Sequence, residues 1–409
     1  MMKRMMTLML LTTLFVAGCG CGCGGKCGDK AGKCCGKDGT CCKVKKTGGC
    51  GGKCGCKGGA KAPATIVLPS VAGEAVSIVL PKGMANPDGM LNTPCGCGTF
   101  LVVTNVSHPG CSVLMMIDKD NKITKVIDLP LHPETKTMVA LGVAVGSDGN
   151  LYIADNQEFA GHGSHKARLL RVVVKDKKAV KVETVVTGMI AANAVVAYKD
   201  RLYITETTLK AGQAPHQSGV YGFSISELQG DTPLAIKPDG TDSHLIATLT
   251  TTADDWCAGI GANGLAITPG GMMYVSNFGT AEILGGQLCS EGKLDAPLKV
   301  VAKGTEENGM GSVDGMKYIA DKGVLIVADF HHNGVCAINP KTGEVKTLVK
   351  NANSDGSKGQ MDKPSEVCLR GNTLYVSNID LGADGNNATA EGKSAPDGVD
   401  TIVAIPLKW

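Results

Sequence analysis

A short apolar stretch ending in a polar residue occurs six times in this chain: FLVVTN (100–105), LYIAD (151–155), LYITE (202–206), MYVSN (273–277), LIVAD (325–329) and LYVSN (374–378). The end residues Asn105, Asp155, Glu206, Asn277, Asp329 and Asn378 are 50, 51, 71, 52 and 49 positions apart. Repetition at such a period marks an architecture built from one supersecondary unit. In most units a tight turn precedes the stretch, such as Gly146-Ser-Asp-Gly-Asn150, and another apolar strand precedes the turn. A polar loop, a third strand and a fourth follow. Four short strands joined by turns make a propeller blade, so the expected fold is all-β, a six-bladed β-propeller over residues 65–409. The last unit stops after three strands, at 401–406. Residues 75–80 supply its outer strand, so the propeller closes by pairing its N-terminal strand with the last blade, which removes open sheet edges.

The 64 residues ahead of the repeats read differently. Lys3 and Arg4 precede an apolar run of about ten residues, shorter than the roughly 20 that span a bilayer, so residues 1–18 read as an export signal. Its end, Val16-Ala17-Gly18-Cys19, resembles the lipobox of bacterial lipoproteins. That resemblance implies cleavage before Cys19, acylation of its thiol, and a protein exported and lipid-anchored to a bacterial membrane. Residues 19–64 are rich in Cys, Gly and Lys and almost free of large apolar side chains, a composition for a disordered tether. Eleven of the chain's 18 cysteines lie at 19–56. Their close spacing suits soft-metal binding by thiolates, whereas export would favour disulfides, and the sequence leaves both readings open. Ten lysines against two aspartates make 20–62 strongly basic, while the propeller region carries about −7. An acidic body argues against nucleic acid as a partner.

In a propeller, residues that open the inner strands and residues that close the second strands ring the same channel mouth. Aligning the repeats on their second strands makes Asp88, Leu141, Asn193, Asn263, Asp314 and Ser365 the openers. Four carry carboxylate or amide oxygens, in blades one, three, four and five. Oxygen donors converging from separate segments suit a hard cation such as calcium, which takes 6–8 oxygens; Asn or Asp before Gly is also ordinary turn chemistry.

The segments Ala262-Asn-Gly-Leu-Ala and Val313-Asp-Gly-Met, each leading into a second strand, resemble the SMP-30/gluconolactonase family. That resemblance implies the same six-bladed fold and a central divalent cation held from blades one, three, four and five. By position the metal ligands would be Asp88, Asn193, Asn263 and Asp314. The implied activity is hydrolysis of a lactone or related ester, with calcium or another divalent cation such as zinc. Two departures stand out. Blade one opens on Asp-Gly-Met where the family has Glu-Gly-Pro, and Ile190-Ala191-Ala192 stands where gluconolactonases carry an arginine, which puts sugar-acid lactones in doubt as substrates.

His108, His162, His165, His216, His331 and His332 all fall in loops after second strands, so the mouth has candidate general bases. Asp314, His331 and His332 are the candidate catalytic residues, the paired histidines because they directly follow Asp329 and Phe330. A three-nitrogen zinc site is a weaker variant, since no His-x-His pattern occurs. Cys257 and Cys289 flank one blade and are candidates for a disulfide. The competing functional class is a non-catalytic propeller that binds a ligand or protein at this mouth around a structural calcium.

Overall fold

Each repeat is an antiparallel sheet in the computed structural model, which describes residues 65–105, 112–162, 165–237, 240–252, 259–380 and 399–409. The export signal, Cys19 and the Cys-rich segment lie outside the described residues. Blade one runs Pro87–Asn92, Gly98–Val103, Val113–Asp118 and Ile123–Asp128, from the axis outward. Blades three, four and five repeat this four-strand order from inner strands Ala192–Tyr198, Ala262–Ile267 and Met316–Ile319. Blade six contributes Pro364–Arg370, Thr373–Asn378 and Thr401–Lys408. Its outer strand comes from the start of the folded part: Val76–Val79 pairs with Thr401–Lys408 in the register Val76↔Ala404 and Val79↔Thr401. Ser70–Val71 extends the same edge. The expected six-bladed fold and its closure are both present. Among the described residues no helix is long and apolar enough to cross a membrane.

The polar residue ending every second strand has a structural explanation. Asn105 accepts from the Ala85 amide at 2.6 Å, Asp155 from Val139 at 3.0 Å, and Asn378 from Asp362 at 3.0 Å. Glu206 takes the amides of Ala191 and Ile190, and Asp329 those of Ser312 and Gly311. Asn277 accepts from the Thr251 hydroxyl and donates to the Thr250 carbonyl. In five blades this side chain brackets the segment that enters the inner strand, satisfying backbone groups there, and in blade four Asn277 instead holds the end of blade three's outer strand, Leu245–Thr251.

Six apolar clusters seal the six blade interfaces. One joins blades one and two through Phe100, Leu114, Ile153 and Val172; another joins two and three through Tyr152, Leu169, Phe223 and Ile225. Each large side chain fully buried in this way contributes roughly 1.5–3 kcal/mol of transfer free energy. The long interval of 71 is explained by blade three. After its third strand, His216–Ser224, a 3₁₀ turn at Ile225–Gln229 is capped by Ser224, whose hydroxyl accepts from the Ser226 amide. Leu234–Ala235 then leaves the blade and pairs in parallel with Lys178–Met189 of blade two. Arg171 of blade two donates to the Leu228 carbonyl at 3.0 Å and to Gln229 at 2.9 Å. The insertion is a strap across one blade interface.

Candidate metal centre at the hub of the propeller

At the opener, five inner strands break register with their second strands: between Pro87 and Met90, Ala140 and Val143, Ala192 and Val195, Ala262 and Leu265, and Pro364 and Glu366. In blade five Ala328 bonds to both members of the step, accepting from Asp314 and donating to Gly315 at 3.0 Å each. A β-bulge re-aims the side chain at the break. Here the repeated bulge re-aims one side chain per blade at the entry to the inner strand.

The openers then touch blade to blade around a closed ring. A Cβ on Gly89 would meet the Leu141 carbonyl under 3.0 Å, and one on Gly142 would lie 2.5 Å from the Asn193 carbonyl. The Thr205 hydroxyl donates to the Asn263 carbonyl at 2.6 Å, and that of Ser276 to the Asp314 carbonyl at 3.3 Å. The Gly315 amide donates to the Ser365 carbonyl at 2.7 Å, and the Ser365 hydroxyl to the Pro87 carbonyl at 3.3 Å. Asp88, Leu141, Asn193, Asn263, Asp314 and Ser365 therefore sit in order around one axis. Glycine follows four of the openers because neighbouring backbones approach where a side chain would stand.

Asp88, Asn193 and Asn263 are buried, and Asp314 keeps partial exposure. Burial, and next the neighbouring Glu366, push the Asp88 carboxyl up to about 7, against the hydrogen bond from Ser365 and the charge of Lys317. Burial raises Asp314 well above the ordinary carboxylate range, with Asp88 and then Glu366 adding to the shift and a hydrogen bond from Asn263 opposing it. The Asn193 amide nitrogen donates to the Thr207 hydroxyl at 3.4 Å, leaving its oxygen as the end available to a ligand. Two desolvated carboxylates that repel each other resist double ionisation unless a positive charge joins them.

Among the described residues, no three His, Cys, Asp or Glu side chains are arranged to hold a metal ion. A three-nitrogen zinc site is therefore not formed there, and a cation at the hub must draw on the amides of Asn193 and Asn263 as well as on Asp88 and Asp314. Mixed carboxylate and amide oxygens with this charge fit a calcium-like ion.

The histidines are placed less simply. His332 Nδ1 lies 2.9 Å from the Gly309 carbonyl and 3.2 Å from Asp329, so the ring braces its own blade. His331 meets His332 edge to face, with centroids 4.8 Å apart. His216 contacts the Thr207 carbonyl at 2.7 Å and His165 the Gly188 carbonyl at 3.2 Å. His108 lies outside the described residues, as does Cys257, the expected partner of Cys289. Over the mouth, Phe278, Phe330 and Ile379, each following its blade's second strand, form an apolar cluster on the side of blades four to six. Phe278 and Phe330 pack edge to face with centroids 5.7 Å apart.

Sequence reasoning missed Glu366. It follows opener Ser365 at the position held by Gly89, Gly142, Ala194, Gly264 and Gly315 in the other blades. That exception in an otherwise small-residue column was the available signal.

No protein-family model matches the chain, and no curated protein matches it. Solved structures do. A protein assigned as a gluconolactonase superposes with a TM-score of 0.50 at 15% identity, covering 84% of this chain and 98% of its own. The luciferin-regenerating enzyme gives 0.52 at 13% identity, covering 81% and 95%. The PQQ-bound aldose sugar dehydrogenase of Streptomyces coelicolor gives 0.51 at 13% identity, covering 83% and 100%. At these identities the likeness establishes a shared fold, and the chain is a six-bladed β-propeller of the architecture these proteins use.

Proposed function

We propose that the protein is a divalent-cation-dependent hydrolase of a lactone or related ester, working at the hub mouth, with calcium as the cation. The supporting observation is the closed ring of openers, which gathers Asp88, Asn193, Asn263 and Asp314 from four blades and leaves two desolvated, mutually repelling carboxylates short of positive charge. A divalent ion bound there supplies polarisation of a carbonyl oxygen and acidification of a water. Asp88 and Asp314 provide the charge that holds it, and Asn193 and Asn263 provide neutral oxygens. The hydrogen bond from Asn263 keeps Asp314 oriented. Asp314, partly exposed where the other three are buried, is the group placed to take a proton from water. His332 is engaged with Gly309 and Asp329, which moves the base role from it to Asp314, with His331 beside it as a second candidate. Phe278, Phe330 and Ile379 offer an apolar wall for the acyl portion of a substrate.

Metal analysis of the purified chain, followed by turnover of a lactone and aryl-ester panel before and after chelation, tests this reading. Stoichiometric calcium, activity lost with chelator and restored by calcium, and loss of both in a folded N263A variant are expected. Undiminished turnover after chelation would reject the cation's role; bound calcium with no turnover on any ester would favour a ligand-binding propeller. The same reading holds the protein on an exported membrane face through acylated Cys19, and C19S should release it into the soluble fraction. For the Cys-rich segment, soft-metal binding is tested by copper(I) titration of the reduced chain against a variant lacking 20–62.

A further inference from the structure

The column of small residues behind the openers is broken only in blade six, and the exception is a carboxylate. Glu366 is buried, and its Oε1 accepts from the Val367 amide at 2.8 Å. It lies 2.5 Å from where a Cβ on Gly315 would stand, so it occupies the space left by that glycine directly behind Asp314. Its Oε2 is 2.5 Å from Lys317 Nζ. Lys317 belongs to the inner strand Met316–Ile319 and lines the channel below the hub, a cavity of about 260 Å³ walled by residues such as Leu91, Val143, Val195 and Leu265. Among the described residues that line this cavity, it alone is charged. An apolar channel screens charge poorly, so each charge at its rim is felt by the others. Glu366 interacts electrostatically with both Asp88 and Asp314, and Lys317 with Asp88 and Glu366.

We propose that the Lys317–Glu366 pair sets the net charge of the hub and thereby selects a divalent cation, a role that rests on the hub reading above. Ionised Asp88, Asp314 and Glu366 carry −3 and Lys317 carries +1, which leaves −2 for the ion to neutralise. Neither member is a metal ligand in this assignment; both act through the charge they place behind Asp88 and Asp314.

The experiment is calcium and terbium(III) titration of the full chain by calorimetry, with thermal melts confirming folding. E366Q leaves the half-buried Lys317 ammonium without its partner and the hub at −1 in all, and its calcium affinity should fall at least about tenfold. K317M raises the hub to −3 and should shift the terbium-to-calcium affinity ratio at least about tenfold towards terbium. The double variant K317M/E366Q returns the hub to −2 and should recover calcium affinity to within about threefold of the parent. A folded E366Q that binds calcium as the parent does, or a double variant as weak as E366Q, overturns the proposal while leaving the hub reading intact. A parent chain that binds neither ion sinks the hub reading and this proposal with it. If E366Q does not fold, an unchanged terbium-to-calcium ratio in K317M alone is enough to overturn it.

Discussion

Without a cation, the hub should lose stability as pH rises through neutrality. Asp88 is the measurable case: its carboxyl moves from 3.8 to about 7, mainly because burial penalises the charged form. A carboxyl whose folded pKa is raised contributes its full stability below the unfolded value and loses it as pH climbs past the folded one. A difference of about three units, at about 1.36 kcal/mol each, makes the loss roughly 4 kcal/mol by pH 8 for Asp88 alone. Asp314 moves in the same direction. A bound divalent ion removes the penalty, so calcium should stabilise the protein far more at pH 8 than at pH 5.5. The assay is calorimetric melting between those values with chelator and with calcium, in the parent and in D88N. D88N keeps the side-chain shape and removes the charge. It should melt higher than the parent at pH 8 in chelator and respond weakly to calcium. A chelated parent whose melting temperature is flat or rising over this range, with D88N indistinguishable from it, would refute the reasoning.

Glu206 contributes in the same pH window and has its own test. Burial pushes its carboxyl up to about 8, so it is neutral in the folded protein at pH 6. E206Q turns one of the two accepting oxygens into a donor, so in urea denaturation it should be less stable than the parent by about 1–3 kcal/mol at pH 6, with the gap narrowing at pH 9, where the parent carboxyl is ionised. G264A should destabilise by about 1–3 kcal/mol, because its Cβ meets the Asp314 backbone carbonyl rather than a movable side chain. The same variant should weaken calcium binding, since Asp314 must shift; unchanged affinity would show that the ring tolerates the displacement. R168M strands Asp155, whose side chain is fully buried against Arg168 at 2.6 Å, and should cost about 3–5 kcal/mol in chemical denaturation.

Much of this architecture was readable from local pattern. A second strand that is a continuous apolar run ending in a polar residue is a signal over five or six residues, and it survives in all six blades. Alignment on that signal named Asp88, Asn193, Asn263 and Asp314 and the ring they sit on. Other features were not readable. The interval of 71 announced an insertion, but not that Leu234–Ala235 would cross to blade two, because strand partners that far apart leave no local trace. His331 and His332 were visible as loop residues near the mouth. Loop membership does not set ring direction, and the Gly309 carbonyl that holds His332 is 23 residues earlier in the chain. Asp155, Glu206 and Asp329 looked as polar as the openers yet serve as brackets for backbone amides.

By itself, then, the sequence determined the number of blades, their strand order, the splicing of residues 75–80 onto the last blade and which side chain opens each inner strand. These follow from the repeated apolar run with its polar end and from turn chemistry, which act over a few neighbouring residues. Only the tertiary structure decided that Glu366 folds behind Asp314, that Lys317 faces it across the channel rim, and that His332 braces a wall. Those placements depend on the distance between blades five and six once the ring is closed. That distance is set by the packing of all six interfaces together.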